Sequence, residues 1–207
     1  MKYEISQTLN YHNDRVFKII ELKNKNLVSC SYDSSILFYI KDNNEYKKDY
    51  QIQANGPCLS IIQTKDNEIC YSEHNNNKIS FYDLLERKIK TSISNISNFI
   101  NLIMIKKYLL LIPGYNELSI INIEQYELIR KIDVQDSGLI YGVCMLNQNM
   151  ILTGDATKTI RQWKIDGDNL ILISKKENAH DEGINTLLNI GNGLIASGSD
   201  DHSIKIW

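Results

Sequence analysis

The stretch LIASGSDDHSIKIW, Leu194 to Trp207, decides how the chain is read. Two short apolar runs flank a cluster of Ser, Asp and Gly, the signature of two strands joined by a tight turn. The same design recurs upstream as LVSCSYDSSILFY (Leu27 to Tyr39) and ILTGDATKTIRQW (Ile151 to Trp163), and more weakly as ICYSEHNNNKISFY (Ile69 to Tyr82) and LLLIPGYNELSII (Leu109 to Ile121). The closing residues Tyr39, Tyr82, Ile121, Trp163 and Trp207 are 43, 39, 42 and 44 residues apart, so the chain is built on a period. Each unit contains four short apolar runs; in the fourth they are Ile140 to Leu146, Met150 to Gly154, Thr159 to Ile165 and Leu170 to Ser174.

Four strands at this spacing make one blade of a β-propeller. The expected fold is therefore all-β, with blades at about 12–53, 56–93, 97–132, 137–177 and 180–207, the last completed by residues 2–9, in a single domain spanning 1–207. Leu85, Ile89, Ile93, Ile96, Ile100 and Ile103 fall near helical spacing, but the register of the repeat favours strands there. The fifth unit supplies three strands, and Lys2 to Leu9 precedes His12 as Leu170 to Lys176 precedes His180. The N-terminal segment is thus expected to pair with Ser203 to Trp207 and close the last blade. An open arc, or part of a seven-bladed ring, is the alternative.

Composition narrows the function. The 207 residues are 43% hydrophobic and 23% charged with a formal net charge of -2, and only four of the 23 basic residues are Arg (Arg15, Arg87, Arg130, Arg161), none adjacent to another. No basic stripe for nucleic acid results. The four cysteines (Cys30, Cys58, Cys70, Cys144) have no metal-ligand spacing and read as reduced, mostly buried thiols. Residues 1–9 have no apolar leader core, and the most apolar window, Phe99 to Pro113, is interrupted by Asn101, Lys106 and Lys107. These features point to a cytoplasmic protein, with the nucleus as the other compartment open to it, and to no membrane insertion.

The repeats resemble the WD-repeat (WD40) β-propeller family along essentially the whole chain, most closely in AHDEGINTLLNIGNGLIASGSDDHSIKIW, Ala179 to Trp207. The resemblance implies a hydrogen-bonded tetrad inside each blade, falling here on His180, Ser197, Asp201 and Trp207, and in the first blade on His12, Ser29, Asp33 and Tyr39. The chemistry is sound on its own terms: a partly buried carboxylate needs donors, and an imidazole can donate to Asp while accepting from a hydroxyl. The equivalent fourth-blade positions are Asp136, Thr153, Thr157 and Trp163, and those of the second blade Asn55, Ser72, Asn76 and Tyr82. The third blade keeps almost nothing polar.

Catalysis finds little support. The second residues of the first strands, expected to line a central channel, are Phe17, Ser60, Asn101, Tyr141 and Asn185, which contain no carboxylate, His, Cys or Lys. His180, Asp181, Glu182, Asp200, Asp201 and His202 could form a metal shell on paper, but His180 and Asp201 belong to the tetrad and the rest read as loop charges. The expectation is a non-enzymatic scaffold or adaptor that binds proteins or peptides, without cofactor, metal or small-molecule substrate. Completion by an assembly partner, or a propeller enzyme, are the alternatives. The resemblance places partner contacts just before the first strand and just before the turn Asp, at Arg15, Tyr32, Pro57, Phe99, Tyr115 and Asp200.

Overall fold

The computed structural model describes residues 4–97 and 101–207 and divides into two compact units, Met1–Lys90 and Thr91–Trp207. Alternation of apolar runs with Asn, Asp and Gly turns produces nineteen strands among the described residues, arranged in five antiparallel sheets. The first blade is β1 (Val16–Glu21), β2 (Leu27–Ser31), β3 (Ser35–Asp42) and β4 (Glu45–Gln53), hydrogen-bonded in that order. The second is β5 (Ile61–Lys65), β6 (Glu68–Glu73), β7 (Lys78–Asp83) and β8 (Lys88–Ile93), and the third β9 (Ile103–Lys106), β10 (Leu109–Pro113), β11 (Glu117–Asn122) and β12 (Glu127–Asp133). The fourth is β13 (Ile140–Asn147), β14 (Met150–Asp155), β15 (Ile160–Asp166) and β16 (Asn169–Lys176). The fifth sheet has three strands, β17 (Ile184–Gly191), β18 (Leu194–Ser199) and β19 (Ile204–Ile206).

Burial explains the sequence texture. Strands β6 and β10 are buried along their whole length and β14 along all but its first residue, so their side chains on both faces are covered. Fourth strands such as β4 and β16 are mostly exposed and tolerate Lys, Glu and Gln. The helical spacing after Leu85 does not produce a helix: Lys88–Ile93 is a strand, and the one helical element among the described residues is a 3-10 turn at His74–Asn76. Tertiary pairing thus overrides a local period.

In the first unit Val28, Cys30, Ile36 and Phe38 of the first blade pack with Cys58, Ile61, Ile69, Tyr71 and Tyr82 of the second. In the second unit Leu109, Leu111, Leu118 and Ile120 share a core with Ile151, Trp163 and Ile165, while Leu152 and Ile160 pack with Ile184 and Leu187 of β17. All four cysteines are buried free thiols. β17 comes so close to β13 and β14 that two glycines are required there. A Cβ on Gly142 would lie 3.1 Å from the backbone of Thr186 and Leu187, and one on Gly154 would lie 2.6 Å from Ile184 Cγ2.

Closure of the last blade by residues 2–9 is not confirmed among the described residues. Residues 4–10 have no strand conformation, Ile5 is 86% exposed, and the segment is held instead by Gln7. Gln7 Nε2 donates to the Tyr46 carbonyl at 2.6 Å, and the Tyr46 amide donates to Gln7 Oε1 at 2.8 Å. With Ile5 and Leu9 as its only aliphatic side chains, the segment 4–10 has little apolar burial to offset the cost of ordering it. One side-chain amide clasping one backbone amide group replaces the ladder.

The glycine contact gives a direct test of this packing. Gly154→Ala forces the stiff, fully buried Ile184 to move and should destabilise the protein by about 1–3 kcal/mol, whereas Gly56→Ala, whose added Cβ meets nothing nearer than 3.6 Å, should change stability much less. Chemical denaturation with an unchanged slope checks both variants. Equal midpoints for the two would contradict the close approach.

Candidate functional site

The turn between the second and third strands organises one end of each blade. In every blade this turn holds one residue in the left-handed region, Ser34, Asn77, Asn116, Lys158 or His202, with φ between 48° and 68°. Side-chain acceptors then fold over the turn and tie it to the segment preceding the first strand.

In the first blade Asp33 accepts from the Asn13 amide (2.8 Å), the Ser35 amide (2.8 Å), the Ser35 hydroxyl (2.6 Å) and His12 Nδ1 (3.1 Å). Because Nδ1 carries the proton given to Asp33, Nε2 accepts from the Ser29 hydroxyl at 2.7 Å, and Tyr39 stands 3.2 Å from the same oxygen. The fifth blade repeats the set. Asp201 accepts from His180 Nδ1 (2.7 Å), the Asp181 amide (3.0 Å), the Ser203 amide (2.9 Å) and the Ser203 hydroxyl (2.6 Å). His180 Nε2 meets Ser197 Oγ at 2.7 Å, and the Trp207 indole donates to Ser197 Oγ at 2.8 Å. Burial on its own would raise the Asp33 pKa, but the Ser35, Asn13 and His12 donors outweigh it and hold the carboxyl well below the usual range. At Asp201 the Ser203 hydroxyl leads, with the Asp181 amide and His180, and the direction is the same.

The intermediate blades build the same joint from displaced residues. In the second, fully buried Glu73 accepts from the Ser80 hydroxyl (2.5 Å) and Asn55 Nδ2 (3.2 Å) and pairs with Lys78 Nζ (3.2 Å). Burial opposes ionisation there, and the Ser80, Lys78 and Asn55 contacts lower its pKa nonetheless. In the fourth, buried Asp155 pairs with Arg161 and accepts from Thr157 Oγ1 at 2.6 Å, while the Trp163 indole donates to Thr153 Oγ1 at 2.9 Å. In the third, Asn116 Oδ1 accepts from the Gly138 amide at 2.6 Å. Glu73 and Asp155 lie at the ends of β6 and β14, three and two residues before the turn positions that the repeat alignment marks, Asn76 and Thr157, so counting along the sequence passes over them.

The ends of the first strands carry a second repeated device. The ladder between first and second strands slips between Val16 and Lys18, between Ile140 and Gly142, and between Ile184 and Thr186, leaving Phe17, Tyr141 and Asn185 as bulged residues. A bulge re-aims its side chain toward the residue just before the turn acid. Phe17 lies 6.1 Å from Tyr32 between ring centroids, and Asn185 Nδ2 donates to Asp200 Oδ1 at 2.5 Å. Arg15 joins the first pair, its guanidinium carbon 4.6 Å from the Tyr32 ring centre and 5.7 Å from that of Phe17. Arg15, Tyr32 and Asp200 are exposed, and Tyr115, bridged to Leu139, is 57% exposed. Pro57, expected to contact a partner, is instead buried with its carbonyl accepting from the His74 amide at 3.0 Å, because the polypeptide folds back under the second blade's turn. Phe99 lies outside the described residues.

The depressed carboxylates set the pH response. The folded pKa of Asp33 and of Asp201 lies below the unfolded value, so the unfolded chain binds the additional protons and stability falls as pH drops below about 4. Melting temperature followed from pH 7 to pH 2.5 should therefore decline mainly in the acid range. Asp33→Asn combined with Asp201→Asn should lower the melting temperature at pH 7 and flatten that acid limb; an unchanged acid slope in the double variant would contradict the hydrogen-bond assignment.

Comparison with known proteins agrees with this geometry. Residues 173–207 match the family described as WD domain, G-beta repeat. Among solved structures, the computationally designed Ika8 protein superposes with a TM-score of 0.77 at 16% identity over 95% of this chain and 59% of its own. A chain of the Mitotic Checkpoint Complex superposes with a TM-score of 0.83 at 14% identity over 98% of this chain and 64% of its own. The chain thus spans about three fifths of the length of these structures. No curated protein matches the sequence. The five blade sheets and the structural matches together identify an all-β propeller fold, within which residues 173–207 match a WD40 repeat.

Proposed function

We propose that the protein is a non-enzymatic interaction scaffold that holds a protein or peptide partner at the blade ends where first strands begin and second strands turn into third strands. WD40 propellers serve generally as protein-interaction scaffolds, and the observation that supports this reading here is the exposed cluster of Arg15, Phe17 and Tyr32. Arg and Tyr are the residue types that dominate binding energy in protein interfaces, and a side chain already ordered on its neighbours loses little entropy when a partner docks. In the second unit Tyr115 and the Asn185–Asp200 pair occupy equivalent blade ends and extend the list of contact residues. The titratable groups near these positions, His12, Asp33, His180 and Asp201, are committed to hydrogen bonds that hold the turns, which leaves them poorly placed to act on a substrate. No helix among the described residues is long and apolar enough to cross a membrane.

The experiment is a comparative affinity capture from native extract with quantitative mass spectrometry, using wild type, Arg15→Ala/Tyr32→Ala and Tyr115→Ala. The proposal expects a defined set of proteins whose recovery falls at least about tenfold with the double variant, because hot-spot truncations cost about 2 kcal/mol or more. Recovery of the same proteins in the same amounts by the double variant would overturn it.

A further inference from the structure

The first blade's end carries a more specific message about the partner, and it rests on the scaffold reading above. Arg15 is fixed at its backbone, since its carbonyl accepts the Tyr32 amide at 2.9 Å, and at its side chain by the faces of Tyr32 and Phe17. Its side chain is nevertheless 69% exposed. Asp14 stands 3.7 Å from Nε, but its Oδ1 is already occupied by the Arg15 amide at 2.7 Å. Among the described residues no acceptor takes a hydrogen bond from the terminal Nη atoms. The result is a guanidinium whose planar fork is oriented by two aromatic rings and whose donating edge faces solvent.

We propose that this fork binds the carboxylate of a partner peptide, an Asp or Glu side chain flanked by aliphatic residues. A guanidinium edge and a carboxylate match in shape and form two parallel charge-assisted hydrogen bonds. The two adjoining ring faces restrain the fork, so the carboxylate meets a prepared donor pair. The aliphatic flanks are called for by the strand that follows the arginine, where Val16 is 54%, Phe17 42% and Ile19 56% exposed. A carboxylate fits better than a phosphate group. A dianion is usually met by a cluster of arginines, whereas the side chains that touch the Arg15 guanidinium are Asp14, Phe17 and Tyr32, and Lys18 turns inward to hydrogen-bond Ser60 Oγ at 3.2 Å.

The test uses three acetylated, amidated pentapeptides, Gly-Leu-X-Leu-Gly with X as Glu, Gln or phosphoserine, titrated into the full chain labelled with 15N-arginine. Only four arginines are present, so the Arg15 Nε–H signal is assigned by its loss in Arg15→Lys. The Glu peptide is expected to shift that signal and to bind at least about tenfold tighter than the Gln peptide, with the difference abolished in Arg15→Ala and reduced in Arg15→Lys. Melting curves of both variants are expected to match wild type, because the side chain is exposed. Equal binding of the Glu and Gln peptides, no binding of the Glu peptide at 1 mM on the order of the weakest useful affinity, or tighter binding of the phosphoserine peptide would each overturn the proposal. If affinity capture still depends on Arg15 and Tyr32 while these peptides fail, the scaffold reading stands and the carboxylate assignment alone falls.

Discussion

A carboxylate at a tight turn, drawn partly out of water and surrounded by donors, is the constraint on which the blade ends depend. An acceptor of this kind is costly to bury unless every lone pair finds a partner. Asp33 and Asp201 meet that requirement by recruiting the histidine that precedes the first strand and the amide of the residue after it. The consequence is geometric: the segment leading into the first strand cannot leave the turn between the second and third. That proximity brings Arg15 to Tyr32 and Asn185 to Asp200. The surface proposed for partner binding is therefore a by-product of how the sheet end is held together, which is why it is rigid before any partner arrives.

Different blades reach the same end by different chemistry, and the variation follows burial. Where His is present, its imidazole links Asp and Ser through its two ring nitrogens. Where it is absent, a fully buried carboxylate turns to a cation, Lys78 for Glu73 and Arg161 for Asp155. An ion pair of this sort is strongly coupled to its partner, since removing either side strands a buried charge. The third blade uses the neutral amide of Asn116 and leans on apolar packing through Leu109, Leu111, Leu118 and Ile120.

Much of this was legible in the sequence, and the remainder was hidden for physical reasons. The period of about 42 residues and the four-strand units follow from the spacing of Tyr39, Tyr82, Ile121, Trp163 and Trp207, because turn formers must recur wherever a short strand ends. The pairing of His12 with Asp33 and His180 with Asp201 was implied by the resemblance to the WD-repeat pattern, which the first and last units carry. Glu73 and Asp155 could not, since they are strand residues, and only their cross-strand partners, Lys78 for Glu73 and Ile140 for Asp155, show that they reach the blade end. The bulges at Phe17, Tyr141 and Asn185 leave no mark in the apolar alternation, because one added residue looks like ordinary strand. Pro57 read as a loop residue, yet the chain passes beneath the turn and covers it. Residues 4–10 stand where the repeat puts a closing strand, but they carry few aliphatic side chains and are tied to Tyr46 through Gln7.

The central claim, that hydrogen-bonded joints at the turn fix the blade ends, is tested most directly by hydrogen exchange at the indole N–H groups. The chain contains two tryptophans, Trp163 bonded to Thr153 and Trp207 bonded to Ser197, so both indole signals can be followed by NMR in one sample. Both should exchange far more slowly than a free indole. In His180→Ala the Trp207 indole should lose its protection, because Ser197 loses the imidazole that orients its hydroxyl, while Trp163 should be unaffected. A Trp207 indole that exchanges freely in the wild type, or that keeps its protection when His180 is removed, would contradict the account.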